Sequence, residues 1–181
     1  MVMFFHSSGN NSGDTFVTLL DTPGHVDFSA EMERTLQVLD YAVLIVSGAD
    51  GVQGHTETLW RLLRRYRIPV FLFVNKMDQK GTDRDAVLAS LKERLDHGIV
   101  DFSGVIGNED VLTFSASAEP FAAVCRDPEE TAEEIATCDE ELLEAYLADG
   151  ILKTEDVRNA IQNRKLFPCF FGSALKLSGV R

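Results

Sequence analysis

Apolar residues gather in short runs along this 181-residue chain, and the spacing within each run separates strands from helices. Residues 3–6 and 15–20 are β-type runs on either side of Ser7-Ser8-Gly9-Asn10-Asn11-Ser12-Gly13-Asp14, a stretch of turn formers. That pattern predicts a hairpin with a loose loop. Asp21-Thr22-Pro23-Gly24 then forces a break, and a helix is expected over about 29–39. Tyr41–Ser47 is nearly continuous Val, Leu and Ile, the composition of a strand buried on both faces. Over 55–67, Leu59, Leu62, Leu63 and Tyr66 recur at helical spacing, and Pro69 ends that helix before a second buried strand at 70–74. A third helix is expected from Thr82, with Asp85 three residues on as a short form of the capping box and Val87, Leu88, Leu91 and Leu95 as its stripe.

Alternation of apolar strands with amphipathic helices predicts an α/β fold, a mostly parallel sheet with helices on both faces. The pattern changes after residue 97. Gly98, Gly104 and Gly107 punctuate short apolar pieces, followed by an acidic stretch and two helical segments. The first takes Leu142, Leu143, Tyr146 and Leu147 as its stripe, and the second covers 154–164. A strand pattern resumes at 166–171. The expected organisation is one α/β domain over 1–97 and 166–181, with a small inserted α+β subdomain at 98–165.

Composition narrows the class. Apolar residues are 45% and charged residues 25% of the chain, close to the globular average and sufficient for a core. No apolar run approaches the roughly 20 residues of a membrane span, and the first five residues lack the features of a signal peptide. Cys125, Cys138 and Cys169 have no metal-site spacing, which suits a reduced, cytoplasmic protein with no membrane partner. Net charge is −12, and residues 127–144 hold nine acidic side chains and no basic one. That balance argues against nonspecific nucleic-acid binding by the chain alone and leaves open docking to a large ribonucleoprotein through a local patch. No direct sequence-specific nucleic-acid binding by the chain is expected. Arg61, Arg64, Arg65 and Arg67 form a basic cluster, read as a solvated helix face.

Candidate chemistry sits in three short motifs, each following an expected strand, where ligands of open α/β sheets bind. In Asp21-Thr22-Pro23-Gly24-His25, a carboxylate at a strand end suits Mg²⁺ held through its water shell. Gly24 lets backbone approach a terminal phosphate, and His25 would face the water that attacks it. In Asn75-Lys76-Met77-Asp78, the Asp78 carboxylate suits the N1–H and exocyclic amine of guanine. The Lys76 stem suits one face of the base, and Asn75 suits a tie between neighbouring loops. Ser173-Ala174-Leu175 offers small residues whose backbone N–H groups could reach guanine O6. Each motif alone is also an ordinary turn; their order and division of labour carry the reading.

With these residues in place, the chain resembles the translational GTPases, particularly elongation factor G and the tetracycline-resistance ribosomal protection proteins. The resemblance runs through Asp21-Thr22-Pro23-Gly24-His25-Val26-Asp27-Phe28, Asp50-Gly51-Val52-Gln53, Asn75-Lys76-Met77-Asp78-Gln79 and Gly172-Ser173-Ala174-Leu175. It implies a P-loop-NTPase-like G domain that takes GTP or GDP with Mg²⁺ and meets the ribosome through the parent protein. By it, Asp21 serves Mg²⁺ through water, Gly24 the γ-phosphate and His25 the hydrolytic water. Asn75, Lys76, Asp78, Ser173 and Ala174 take the base, and 98–165 resembles the extra subdomain of elongation factor G. Asn75 to Gly81 and the shortness of the insertion point towards the ribosomal protection branch, though both branches stay open.

One part of the family pattern is not here: the sequence contains no Gly-x-x-x-x-Gly-Lys-[Ser/Thr] run. Backbone amides and a lysine in that loop supply most of the phosphate grip. The chain is therefore expected to be an incomplete G domain without its N-terminal strand and P-loop, binding nucleotide weakly and hydrolysing negligibly alone. The strand in question lies, in the family, between 15–20 and 41–47, so its absence is expected to leave two apolar edges side by side. Otherwise the chain closes the gap, swaps an element with a neighbour or exists only within a longer protein, the last being the favoured expectation. The alternative is a non-catalytic binding or interaction module that keeps the fold.

Overall fold

The structure, a computed structural model, describes residues 2–9, 15–22, 36–107, 112–114 and 128–179. Most of the helix expected over 29–39 lies outside these residues. The strands are β1 (Val2–Gly9), β2 (Thr15–Thr22), β3 (Tyr41–Ser47), β4 (Val70–Asn75), β5 (Ile99–Asp101), β6 (Val105–Gly107), β7 (Leu112–Phe114) and β8 (Phe167–Phe171). The helices are α1 (Gly54–Arg65), α2 (Arg84–Arg94), α3 (Pro128–Ala136), α4 (Glu140–Asp149) and α5 (Thr154–Gln162). Six strands form one sheet in the order β2-β1-β3-β4-β8-β5, while β6 and β7 pair separately. β3, β4, β8 and β5 run parallel. β1 is antiparallel to both its neighbours, so β2 points the same way as β3.

The hairpin expected from the first two apolar runs is present, with Val2 opposite Thr22 and Gly9 opposite Thr15. The expected gap is not. β1 lies between β2 and β3 and pairs Val2 to Phe5 with Leu44 to Tyr41. A strand has a row of N–H and C=O groups on each side, and an unpaired central row is costly. One strand satisfies both edges here.

Alternation along the strands divides the core in two. Leu44, Leu72, Val74, Phe167 and Phe171 lie in one cluster with Leu59, Trp60 and Leu63 of α1 and Val87, Leu88 and Leu91 of α2. On the other face, Val100, Phe71 and Phe170 meet Ala132 and Ile135 of α3, Leu142 of α4, and Val157, Ala160 and Ile161 of α5. Helices therefore cover both faces. β3 departs from the expected two-sided burial: Ala42, Leu44 and Val46 are buried while Tyr41, Val43 and Ile45 are half-buried. The second cluster draws its sheet residues from β4, β8 and β5 instead.

Local departures follow the same logic. Ile99–Asp101 lies beyond the boundary expected at residue 98, yet pairs with β8 as the edge of the main sheet. In α4, Leu147 is 75% exposed, because Leu142, Leu143 and Tyr146 already fill the side that packs. Asp83, not Thr82, caps α2, its Oδ1 accepting from the Ala86 N–H at 3.1 Å. The Thr82 hydroxyl instead donates to the carbonyls of Met77 at 2.9 Å and Gln79 at 2.8 Å. Asp83→Ala is expected to cost about 1 kcal/mol, read as a lowered urea midpoint.

Candidate functional site

Parallel strands bring their carboxyl ends to one edge, and there the loop after β4 meets the loop after β8. The Asn75 side chain joins them. Its Oδ1 accepts from the Lys76 N–H at 2.8 Å and from the Ala174 N–H at 2.9 Å, across 99 positions of sequence. Backbone bonds extend the seam: Met77 N–H donates to the Gly172 carbonyl at 3.1 Å, and Gly172 N–H to the Val74 carbonyl at 2.9 Å. Gly48, just past β3, donates its N–H to the Asn75 carbonyl at 2.8 Å.

Close approach dictates small residues. A Cβ on Gly172 would stand 2.5 Å from the Ser178 carbonyl oxygen and 2.9 Å from the Phe73 ring. On Gly48 it would meet Met77 Sδ at 2.7 Å. Lys76 has φ +64°, a left-handed backbone that a bulky residue keeps only where its surroundings enforce it. The Asn75 Oδ1 bond to Lys76 N–H supplies that enforcement.

Asp78 sits within this seam, its side chain 14% exposed. The Ser173 hydroxyl donates to it and holds its carboxyl below the ordinary value, against desolvation. Its own backbone N–H and the Lys176 ammonium, 3.9 Å away, act in the same direction as Ser173. The buried Ser173 hydroxyl also accepts from the Lys176 N–H at 3.3 Å. The result is an ionised acceptor fixed beside two loops, with the Lys76 side chain exposed next to it.

Asn75, Lys76, Asp78, Ser173 and Ala174 are thus brought together. One detail differs from the sequence reading. The Ser173 N–H already donates to the Ser178 carbonyl at 2.9 Å, and the Ala174 N–H to Asn75, so neither simply points outwards. Asp21 stands apart from this group. Through Met3 and Val43 it is level with Phe71, four residues short of Asn75. The offset is roughly 13 Å along the strands and roughly 14 Å across them. Asp21 is exposed near the end of β2, level with the amino-terminal halves of β3 and β4 and not with their carboxyl ends. Gly24 and His25 lie outside the described residues.

Lys176 and Gly48 escaped the sequence reading. A polar residue three positions after Ser173, and a glycine directly after a bulky strand, were the available signals. Of the two cysteines among the described residues, burial pushes Cys138 up to about 11 and Cys169 well above its ordinary range, so neither is a thiolate at neutral pH. Among the described residues no three His, Cys, Asp or Glu gather as a metal cluster, and no helix is long and apolar enough to cross a membrane.

A family model described as the elongation factor Tu GTP binding domain matches residues 4–181. A crystal structure of a protein from Thermus thermophilus is similar over 94% of this chain, with a TM-score of 0.66 and 27% identity. This chain spans 29% of that protein's length.

Proposed function

Because the chain belongs to the elongation factor Tu GTP binding domain family, we propose that its β4–β8 edge holds the base of a guanine nucleotide. Asp78 accepts from guanine N1–H and the exocyclic amine. Adenine lacks both donors on that edge and would leave the carboxylate unpaired, a penalty of roughly 10⁴-fold or more. The Lys76 stem covers one face of the ring. Guanine O6 takes a second branch of the Ala174 N–H, a three-centre bond that leaves the Asn75 tie in place. The observation that carries the reading is Asn75 Oδ1 gripping both loops while Ser173 fixes the Asp78 carboxylate between them.

Towards the phosphates, Asp21 would hold Mg²⁺ through water, since Mg²⁺ takes few protein ligands and the exposed carboxylate at the end of β2 suits that role. The ion would neutralise charge on the phosphate oxygens. Gly24 would donate its backbone N–H to the γ-phosphate, and His25 would position water. The parent protein would be a ribosome-associated GTPase of the cytoplasm, on the elongation factor G or the tetracycline-resistance side of the family. Because the sequence contains no Gly-x-x-x-x-Gly-Lys-[Ser/Thr] run, the chain itself binds GTP and GDP weakly and turns over negligibly.

A titration of the ¹⁵N-labelled chain with GDP and ADP tests the base site. GDP is expected to move the amide signals of Asp78 and Ala174 at concentrations where ADP does not; equal response to both removes base recognition. A submicromolar dissociation constant for GDP would overturn the weak-binding claim. The second reading, a non-catalytic module, is favoured by the same lack of a phosphate loop. It stands if a chain extended upstream by a segment carrying that loop gains no ribosome-stimulated hydrolysis.

A further inference from the structure

The loop that carries Asp78 is tied down twice, and the second tie is made by residues outside the base site. At its start, Asn75 grips Ala174 and the Met77 N–H grips the Gly172 carbonyl. At its end, Thr82 closes back on Met77 and Gln79, Asp83 caps α2, and Arg84 begins the helix. Arg84 then reaches across to the strands. Its guanidinium pairs with the carboxylate of Asp101 at the end of β5 and lies over the ring of Phe171, 4.7 Å from the centroid. Phe171 is the last residue of β8, directly before Gly172-Ser173-Ala174. Asp101 is held in turn, its other oxygen accepting from the Ser103 N–H at 3.0 Å.

We propose that Arg84, clamped between Asp101 and Phe171, is a positioning residue that sets the separation of Asp78 from Ala174 and thereby the preference for guanine. The inference rests on the base site proposed above. With Arg84 in place, both ends of the Asp78 loop are referenced to the same end of β8, so the carboxylate and the amide cannot drift apart. The pair is not a surface ornament: the Asp101 side chain is 4% exposed and that of Arg84 18%. Exposed ion pairs contribute little, whereas removing one partner of a buried pair strands the other charge. The planar guanidinium also stacks on Phe171 while it pairs, which an ammonium does not reproduce.

The test uses the 181-residue chain with Arg84→Met, Asp101→Asn and Arg84→Lys, each confirmed as folded by circular dichroism at low temperature. GDP and ADP affinities are measured by ¹⁵N shift titration. Arg84→Met and Asp101→Asn are expected to lower the GDP-to-ADP affinity ratio about tenfold, the worth of one hydrogen bond to the base. Arg84→Lys keeps the charge but loses the stack, and is expected to lower the ratio about threefold, between the parent and Arg84→Met. A purely structural role would reduce stability while the folded fraction keeps the parental ratio. That result, in any folded variant of Arg84→Met or Asp101→Asn, overturns the inference; if neither folds, a parental ratio in Arg84→Lys does so. Asp78→Asn serves as the reference. Parental selectivity in Asp78→Asn sinks the base site itself, whereas its loss there with the Arg84 variants unaffected sinks the positioning role alone.

Discussion

Asp78→Asn is expected to reverse the base preference of the chain from guanine to xanthine. The carboxylate offers two acceptors to guanine N1–H and to its amine. An amide in the same place offers one acceptor and one donor, so it opposes the guanine amine and suits the 2-oxo group of xanthine. A site built to hydrogen-bond one such group rejects the analogue by roughly 10⁴-fold, and the ratio of GDP to XDP affinity should change by about that factor. Competition titration with the two diphosphates reads it directly, and an unchanged ratio would remove Asp78 from the base pocket. The change is close to isosteric, and Ser173 remains able to hydrogen-bond the amide oxygen, so the fold should survive. Acidity gives an independent check. Ser173 holds the Asp78 carboxyl below the usual value. A carboxyl lowered on folding adds stability above its unfolded pKa and loses it as pH falls through the folded one. Guanine recognition through Asp78 should therefore stay level down to about pH 5 and fail below the ordinary carboxylate range.

The elements written most strongly in the sequence are those whose burial depends on near neighbours. β4 stands out because a strand between two parallel neighbours becomes a run of Val, Leu and Phe, and β3 keeps that composition although one side of it is only half-buried. The three candidate motifs were legible as loops after strands, and the structure joins the two assigned to the base through Asn75. What escaped depends on distant partners. No local pattern states that Val2–Gly9 pairs with β3 as well as β2, since a strand's hydrogen-bonding rows are indifferent to sequence. Ile99–Asp101 is too short to show a period, and its place is fixed by β8, over sixty residues later. Thr82 and Asp83 are both good caps, and only the loop geometry assigns one to the helix and the other to Met77 and Gln79. Arg84 and Asp101 carry no local signal of their contact; the fold alone pairs them and sets Arg84 over Phe171.

Phe167→Ala is expected to produce the largest loss of stability among single changes away from the site. Phe167 is 1% exposed, and three separate elements depend on it. Its ring meets Trp60 of α1 edge-on, with centroids 4.8 Å apart. Arg164, just past α5, lies over the same ring at 5.1 Å. In the sheet, Phe167 is the partner of Ile99, and its N–H donates to the Gly98 carbonyl at 2.8 Å. Truncation removes the transfer energy of the ring and leaves a cavity that α1 and β5 cannot both close over, a cost of about 3–5 kcal/mol. Against a typical domain stability of about 5–15 kcal/mol, that should leave the variant marginal. Because β8 also carries Gly172, Ser173 and Ala174 at its far end, the urea midpoint and the GDP response should fall together. Leu175→Ala provides the contrast: that side chain is 87% exposed, and its loss should leave the midpoint within about 0.5 kcal/mol of the parent. A Phe167→Ala chain with a parental midpoint would mean that the two faces of the sheet are stabilised independently of this ring.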